Sequence, residues 1–132
     1  MNLSERAWQT WPVLTLAASH RQTMTYEILA QLTGMHRPGL GAVLEQIQSY
    51  CLENELPPLS ALVVSKATGL PSEGFVASND VPRTFLEIFE FNWLSRPCPT
   101  PEQLAEATAR RPSNGIPSAA TQGAPTSSPT TE

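Results

Sequence analysis

The side chains that could carry out chemistry are few and far apart in this 132-residue chain. Its two cysteines, Cys51 and Cys98, lack the close spacing of a metal-ligand pair. Glu87 and Glu90 fall three residues apart on one predicted helix, but no base or metal ligand accompanies them in the sequence. We therefore predict no catalytic, cofactor-binding or metal-binding residues and no enzyme activity.

Arg37 is the cation whose position admits a functional interpretation. With His36, it directly precedes a predicted helix. On a DNA-binding interpretation, an arginine at the start of a helix reaches a phosphate or a base edge. On the other interpretation it is an ordinary solvated loop residue. The helix that would enter the groove carries Glu45 and Glu53 but no lysine or arginine, which opposes phosphate binding.

These residues belong to a predicted helix-turn-helix. Thr25 is placed to cap a short helix over 26–33, and Gly34 can supply the left-handed residue that ends it. A longer amphipathic helix follows from Pro38 to Asn54, and two helices joined by a tight glycine turn are typical of this motif. The apolar face of the long helix repeats at 3–4 residue spacing and holds Leu40, Val43, Leu44, Ile47, Tyr50 and Cys51.

The opposite face of that helix is the predicted site of partner binding. If the helix binds a protein, its polar residues would line the contact, with an arginine at the rim: Glu45, Gln48, Ser49 and Arg37. Trp8 and Trp11, near the start of the chain, offer a second surface. They could form an exposed apolar patch for a partner, or they could pack against the final helix.

The remaining segments complete a predicted fold. Residues 4–20 indicate one helix bent near Pro12, or two short helices. Residues 60–66 indicate a buried strand, Thr68-Gly69 a hairpin tip, and residues 70–76 a weak second strand.

Two helices are expected towards the end of the chain. One starts after Asn79 or Asp80, and the other starts at the capping box Thr100–Gln103 and runs to about Arg110. The element order predicts an α+β, winged-helix-like domain over 1–110, a helix-turn-helix plus β-hairpin with extra C-terminal helices. Residues 111–132 are rich in Ser, Thr, Pro and Ala and are predicted to be a disordered tail.

Several of these segments also resemble one family. Residues 25–30 (Thr-Tyr-Glu-Ile-Leu-Ala), Gly34, Ala42-Val43, Val63-Val64 and Gly69 resemble the DNA-binding domain of O6-alkylguanine-DNA alkyltransferases and alkyltransferase-like proteins. The resemblance covers about 45 residues and implies a winged helix that binds DNA. Residues 56–75 also resemble small uncharacterised bacterial and phage proteins.

This chain departs from the alkyltransferase pattern at the residues that carry the alkyl-transfer reaction. Where that family has a Pro-Cys-His-Arg active-site segment, this chain has Leu59-Ser60-Ala61-Leu62. Where the family's recognition helix inserts an arginine into DNA, this chain has Gly41. Alkyl transfer needs a thiolate activated by a base, so we expect no such activity.

Charge and hydropathy narrow the class of partner. The formal net charge is −4, and all 8 basic residues against 11 of the 12 acidic ones fall within residues 1–111. No apolar run approaches the roughly 20 residues of a membrane span, so a cytoplasmic location without membrane contact is expected. We predict a non-catalytic interaction or regulatory module with a protein partner, in DNA metabolism or phage–host conflict. The alternative is a sequence-specific DNA-binding winged-helix regulator.

Overall fold

The computed structural model of the chain describes residues 2–71 and 81–111. These residues form a mostly helical α+β arrangement, and this coarse fold class agrees with the prediction. The elements are helices α1 (Leu3–Ser19), α2 (Tyr26–Thr33), α3 (Leu40–Glu53), α4 (Val81–Glu90) and α5 (Pro101–Arg110), strands β1 (Met24–Thr25) and β2 (Val63–Val64), and 3₁₀ helices at Arg37–Gly39, Leu59–Leu62 and Trp93–Ser95.

Helix α1 is continuous through Pro12, so the predicted alternative of two short helices is wrong. A capping box starts it: the backbone N–H of Glu5 donates to Asn2 Oδ1 at 2.8 Å, and Asn2 N–H donates to Glu5 Oε1 at 2.9 Å. Pro12 lies on the exposed side of the helix. The opposite side is buried and includes Ala7, Trp11, Leu14 and Ala18.

The two helices predicted on either side of Gly34 are present as α2 and α3. Thr25 Oγ1 accepts the backbone N–H of Ile28 at 3.2 Å and so caps α2. Gly34 closes α2 with a φ of 71°, and the backbone N–H of Met35 donates to Ala30 O at 3.1 Å. Leu40 is the first residue of α3, because the turn that contains the predicted start, Pro38, is a 3₁₀ helix.

The strand predicted over residues 60–66 is shorter than expected. Leu59–Leu62 form a 3₁₀ helix, and only Val63–Val64 extend as β2, which pairs in parallel with β1. Every residue from 59 to 64 is buried, so the apolar run had no alternation that could separate helix from strand. Gly69 forms the predicted tight turn, with its N–H on Ser65 O at 2.7 Å, and Pro71 alone bridges Val64 in the antiparallel sense.

Both predicted C-terminal helices are present, although α4 ends at Glu90, before the stop predicted at Arg96-Pro97. Thr100 and Gln103 form the capping box of α5, and this helix ends at Arg110. The predicted strand beyond Pro71, the candidate caps at 79 and 80, and the predicted tail after residue 111 lie outside the described residues.

Helix α3 runs through the centre of the fold, packed against both α1 and α5. Aromatic rings fix α1 to its neighbours: Trp11 meets Tyr50 edge-on at 5.5 Å and Trp93 at 5.8 Å between ring centroids. The indole N–H of Trp93 donates to Ile88 O at 2.8 Å, so this buried polar group is satisfied. These contacts pack one side of α1 against the core, and the opposite side of the helix is exposed.

Candidate protein-interaction site

Arg37, the predicted rim residue, lies against α2. Its Nε is 3.1 Å from Glu27 Oε2, and its guanidinium carbon sits 5.2 Å from the centre of the Tyr26 ring. The side chains of Arg37 and Glu27 are about half exposed, 55% and 49%. Arg37 therefore ties the turn to α2 by an ion pair and a cation–π contact.

The other predicted site residues do not share an exposed face. Gln48 is 5% exposed, Ser49 is fully buried and Glu45 is half-buried. Helix α5 packs on α3, and Arg110 of α5 pairs with Glu53, one turn after Ser49. The prediction that Gln48 and Ser49 line an outward face is therefore wrong, because other helices pack against α3 on more than one side.

A different helix face has the composition of an interaction site. We name it the α1 outer face and define it by its residues along the outward side of α1: Trp8, Gln9, Pro12, Val13, Leu16 and His20. Trp8 is 46% exposed and Leu16 is 56% exposed. From residue 7 to residue 20 the sequence has no Asp, Glu, Lys or Arg. A helix whose outward side faces only solvent normally carries charged residues there.

Two apolar grooves border the α1 outer face. The first has a volume of about 400 Å³ and is lined by Trp8, Gln9, Pro12 and Cys98. The second, which we name the Leu16 groove, has a volume of about 340 Å³ and is lined by Val13, Leu16, Ala17, His20, Gln22, Met24 and Leu32. Asp, Glu, Lys and Arg are absent from both of these linings. Leu32 of α2 is itself 61% exposed, so the apolar surface continues from α1 onto α2.

The two tryptophans near the start of the chain have different environments. Trp11 is 3% exposed and belongs to the core, whereas Trp8 is 46% exposed and belongs to the outer face. The sequence alone did not decide whether each tryptophan lies in an exposed patch or in the core. A charge-free stretch of 14 residues with apolar side chains on both sides of the predicted helix was the signal that could have separated them.

The two cysteine thiols have different environments, and the buried one is unreactive near neutral pH. Cys51 is buried, and removal from water raises its pKa to about 12, so the sulfur stays protonated near neutral pH. Cys98 is an exposed free thiol beside Trp8, and partial burial raises its pKa. Within residues 2–71 and 81–111, His, Cys, Asp and Glu form no group of three or more able to hold a metal ion.

Comparison of the chain with protein-family models, with curated proteins and with solved structures finds no match. The resemblance to alkyltransferases therefore stays a prediction. In the described part of the chain, every helix is too short or too polar to cross a bilayer. The α1 outer face is therefore an exposed apolar surface without charged residues, bordered by two grooves.

Proposed function

We propose that this chain is a non-catalytic interaction module, built on a winged-helix-like scaffold, that binds a protein partner through the α1 outer face. The observation that carries this proposal is the exposure of Trp8 and Leu16 on a helix face without charged residues. The helix-turn-helix and the tight turn at Gly69 support the scaffold assignment.

The residue types on this face are those that contribute most to protein association. Tryptophan is enriched among the residues that dominate binding free energy, and charged side chains are depleted from interface centres. Burying apolar surface stabilises a complex by roughly 25 cal/mol per Å² before the costs of association are subtracted. Because the face lies along one helix and is bordered by grooves, it suits a partner helix that presents apolar side chains.

The geometry weighs against DNA as the principal partner. Helix α3 is buried along most of its length, including both Gln46 and Gln48, so few of its side chains could reach a groove. Its neighbouring cation, Arg37, already pairs with Glu27. Action in DNA metabolism or phage–host conflict, and the cytoplasmic location, stay predictions.

Matched variants test the proposed surface. Trp8→Ala and Leu16→Ser each remove a large exposed apolar side chain from it, and Leu86→Ser removes a leucine of similar exposure (48%) from the outward side of α4. The tagged wild-type protein and each variant are used to purify bound proteins from cells of the source, and each bound protein is then purified and titrated. We expect the wild type and Leu86→Ser to bind the same protein with equal affinity.

The same titration shows the loss expected at the α1 outer face. Trp8→Ala should weaken binding at least tenfold, a change of about 1.4 kcal/mol in binding free energy. Circular dichroism and thermal unfolding verify that each variant is folded. Equal affinity for wild type, Trp8→Ala and Leu16→Ser would show that partners bind elsewhere and would overturn the proposal.

A further inference from the structure

The α1 outer face contains both an apolar projection and an apolar groove. Trp8 lies in the first half of α1 with nearly half of its surface exposed, and one side of it lines the groove beside Cys98. The Leu16 groove lies two helical turns further on, about 12 Å along the axis at 1.5 Å per residue. A surface that carries a projection and a recess at separate positions can be complementary to a copy of itself, which is the property that a two-fold symmetric interface requires.

The spacing of these features sets the geometry of such a contact. Pro12 lies midway between Trp8 and Leu16 on the same exposed side of α1. A two-fold axis passing beside Pro12 makes two α1 helices antiparallel and places each Trp8 opposite the Leu16 groove of the other copy. Parallel pairing would instead set Trp8 against Trp8 and leave both grooves unfilled.

The charges at the ends of the face favour the same orientation. Glu5 lies at the N-terminal end of the face, and Arg21 directly follows His20 at the C-terminal end. Antiparallel pairing brings Glu5 of one copy near Arg21 of the other and opposes the two helix dipoles. Arg6, also near the N-terminal end, lines a separate groove with Met35, and its Nη1 is 3.4 Å from Gln9 Oε1.

We propose that the partner bound by the α1 outer face is a second copy of this chain, paired antiparallel through α1 with each Trp8 in the Leu16 groove of the other copy. This inference rests on the proposed function, because it names the partner of the same surface. The contact is isologous, so each dimer contains two identical Trp8–groove contacts.

Sedimentation of the full chain tests the association. We expect the mass to rise from the 14.4 kDa of one chain towards twice that value between about 1 μM and about 500 μM protein, the range in which modest affinities saturate. Trp8→Ala and Leu16→Ser should each raise the dimer dissociation constant at least tenfold. Leu86→Ser should match the wild type, because Leu86 lies outside the face.

Mixing the two variants tests the orientation. A homodimer of either variant has both Trp8–groove contacts broken, whereas a mixed dimer keeps one contact whole, between the Trp8 of one variant and the intact groove of the other. We therefore expect an equimolar mixture of Trp8→Ala and Leu16→Ser to dimerise at concentrations where neither variant does alone. An absence of this rescue would overturn the antiparallel arrangement.

The charged ends provide a further check on the same orientation. Glu5→Gln keeps the capping box, because glutamine can replace glutamate there, but removes the charge. We expect Glu5→Gln to weaken the dimer at low salt and to have little effect at high salt, since salt screens an exposed charge pair. An increase in affinity on removing this charge would contradict the pairing of Glu5 with Arg21.

The sedimentation series also distinguishes a failure of this inference from a failure of the proposed function. If the wild type stays at 14.4 kDa throughout the concentration series, the second-copy inference is wrong. If a different protein then binds with an affinity that depends on Trp8, the proposed function still holds. If neither association occurs, both proposals fail.

Discussion

The guanidinium of Arg110 pairs with the carboxylate of Glu53, 57 residues earlier in the chain, with Nη2 2.8 Å from Oε1 and Nε bonded to Oε2. This two-pronged contact joins the last turn of α5 to the last turn of α3. Such bidentate pairs fix geometry as well as contributing energy. It is therefore a contact that helps to keep α5 along α3.

The pair predicts a pH dependence of stability. The hydrogen bond from Arg110 lowers the pKa of Glu53 below its ordinary value of 4.5. A carboxyl whose pKa is lower in the folded state stabilises the fold above its ordinary pKa, and this contribution is lost as pH falls through the folded value. We expect Arg110→Gln to lower the melting temperature at neutral pH and to converge on the wild type in acid.

Thermal unfolding from neutral pH down to about pH 3 measures this difference. Glu53→Gln removes the titrating carboxyl of the same pair and should flatten the same part of the acid dependence. If Arg110→Gln kept the full acid dependence of the wild type, the lowered pKa of Glu53 would need another source.

Gly34 and Gly41 should respond to substitution by alanine in opposite directions. Gly34 has a φ of 71°, where an L-residue is strained although a Cβ would meet nothing within 4 Å. We expect Gly34→Ala to destabilise the protein by roughly 1–2 kcal/mol. Gly41 lies in α3, where a Cβ would also meet nothing within 4 Å and the φ is not positive. Gly41→Ala should therefore stabilise the protein by roughly 0.5–1 kcal/mol, measured by chemical denaturation.

The helix α2, its end at Gly34 and the helix α3 were predictable because their determinants are local. A capping side chain, a left-handed glycine and an apolar repeat act within a few residues of one another, as at Thr25, Gly34 and the face of α3. The burial of Gln48 and Ser49 was not predictable in this way. It depends on which other helices pack against α3, as α1 and α5 do, and the sequence of α3 contains no information about them.

The short β2 strand shows a second limit of predicting structure from local sequence. Residues 59–64 are buried on all sides, so neither a period of two nor one of 3.6 residues marks them. The partner strand, Met24–Thr25, is only two residues long and precedes a capped helix directly. Its pairing with Val63–Val64 is a tertiary contact across the fold, which local propensity does not predict.

Core truncation should distinguish the buried side of α3 from exposed helix positions. Ile47 is fully buried at the centre of the core, whereas Leu86 on α4 is 48% exposed. We expect Ile47→Ala to lower the free energy of unfolding by roughly 2–5 kcal/mol. Leu86→Ala should change it by no more than about 0.5 kcal/mol. A larger loss for Leu86→Ala would mean that this face of α4 is covered in solution.

Thiol labelling should separate the two cysteines and provide a probe of the α1 outer face. Cys51 is buried with a pKa raised to about 12, so the native protein offers almost no thiolate at this position near neutral pH. Cys98 is exposed and lines the groove beside Trp8. We expect one thiol to react in the native state and both to react in denaturant.

The variant Cys98→Ser identifies the reacting group. It should show no fast native-state labelling, whereas Cys51→Ser should label as the wild type does. Fast labelling of native Cys98→Ser would show that Cys51 reaches solvent. If a partner covers the α1 outer face, its addition should slow labelling at Cys98.

Direct DNA binding should be weak. The described part of α3 carries no lysine or arginine, and residues 1–111 have 11 acidic against 8 basic side chains. Each phosphate contact normally requires a lysine, an arginine or a backbone N–H, and Arg37 already pairs with Glu27. We expect a Kd for duplex DNA no tighter than about 10⁻⁴ M at physiological salt, the weak end of non-specific binding.

An electrophoretic shift measured at low micromolar protein, and abolished by Arg37→Ala, would contradict this expectation. Such a shift would make the helix-turn-helix a DNA-binding element and would favour the regulator interpretation over protein binding.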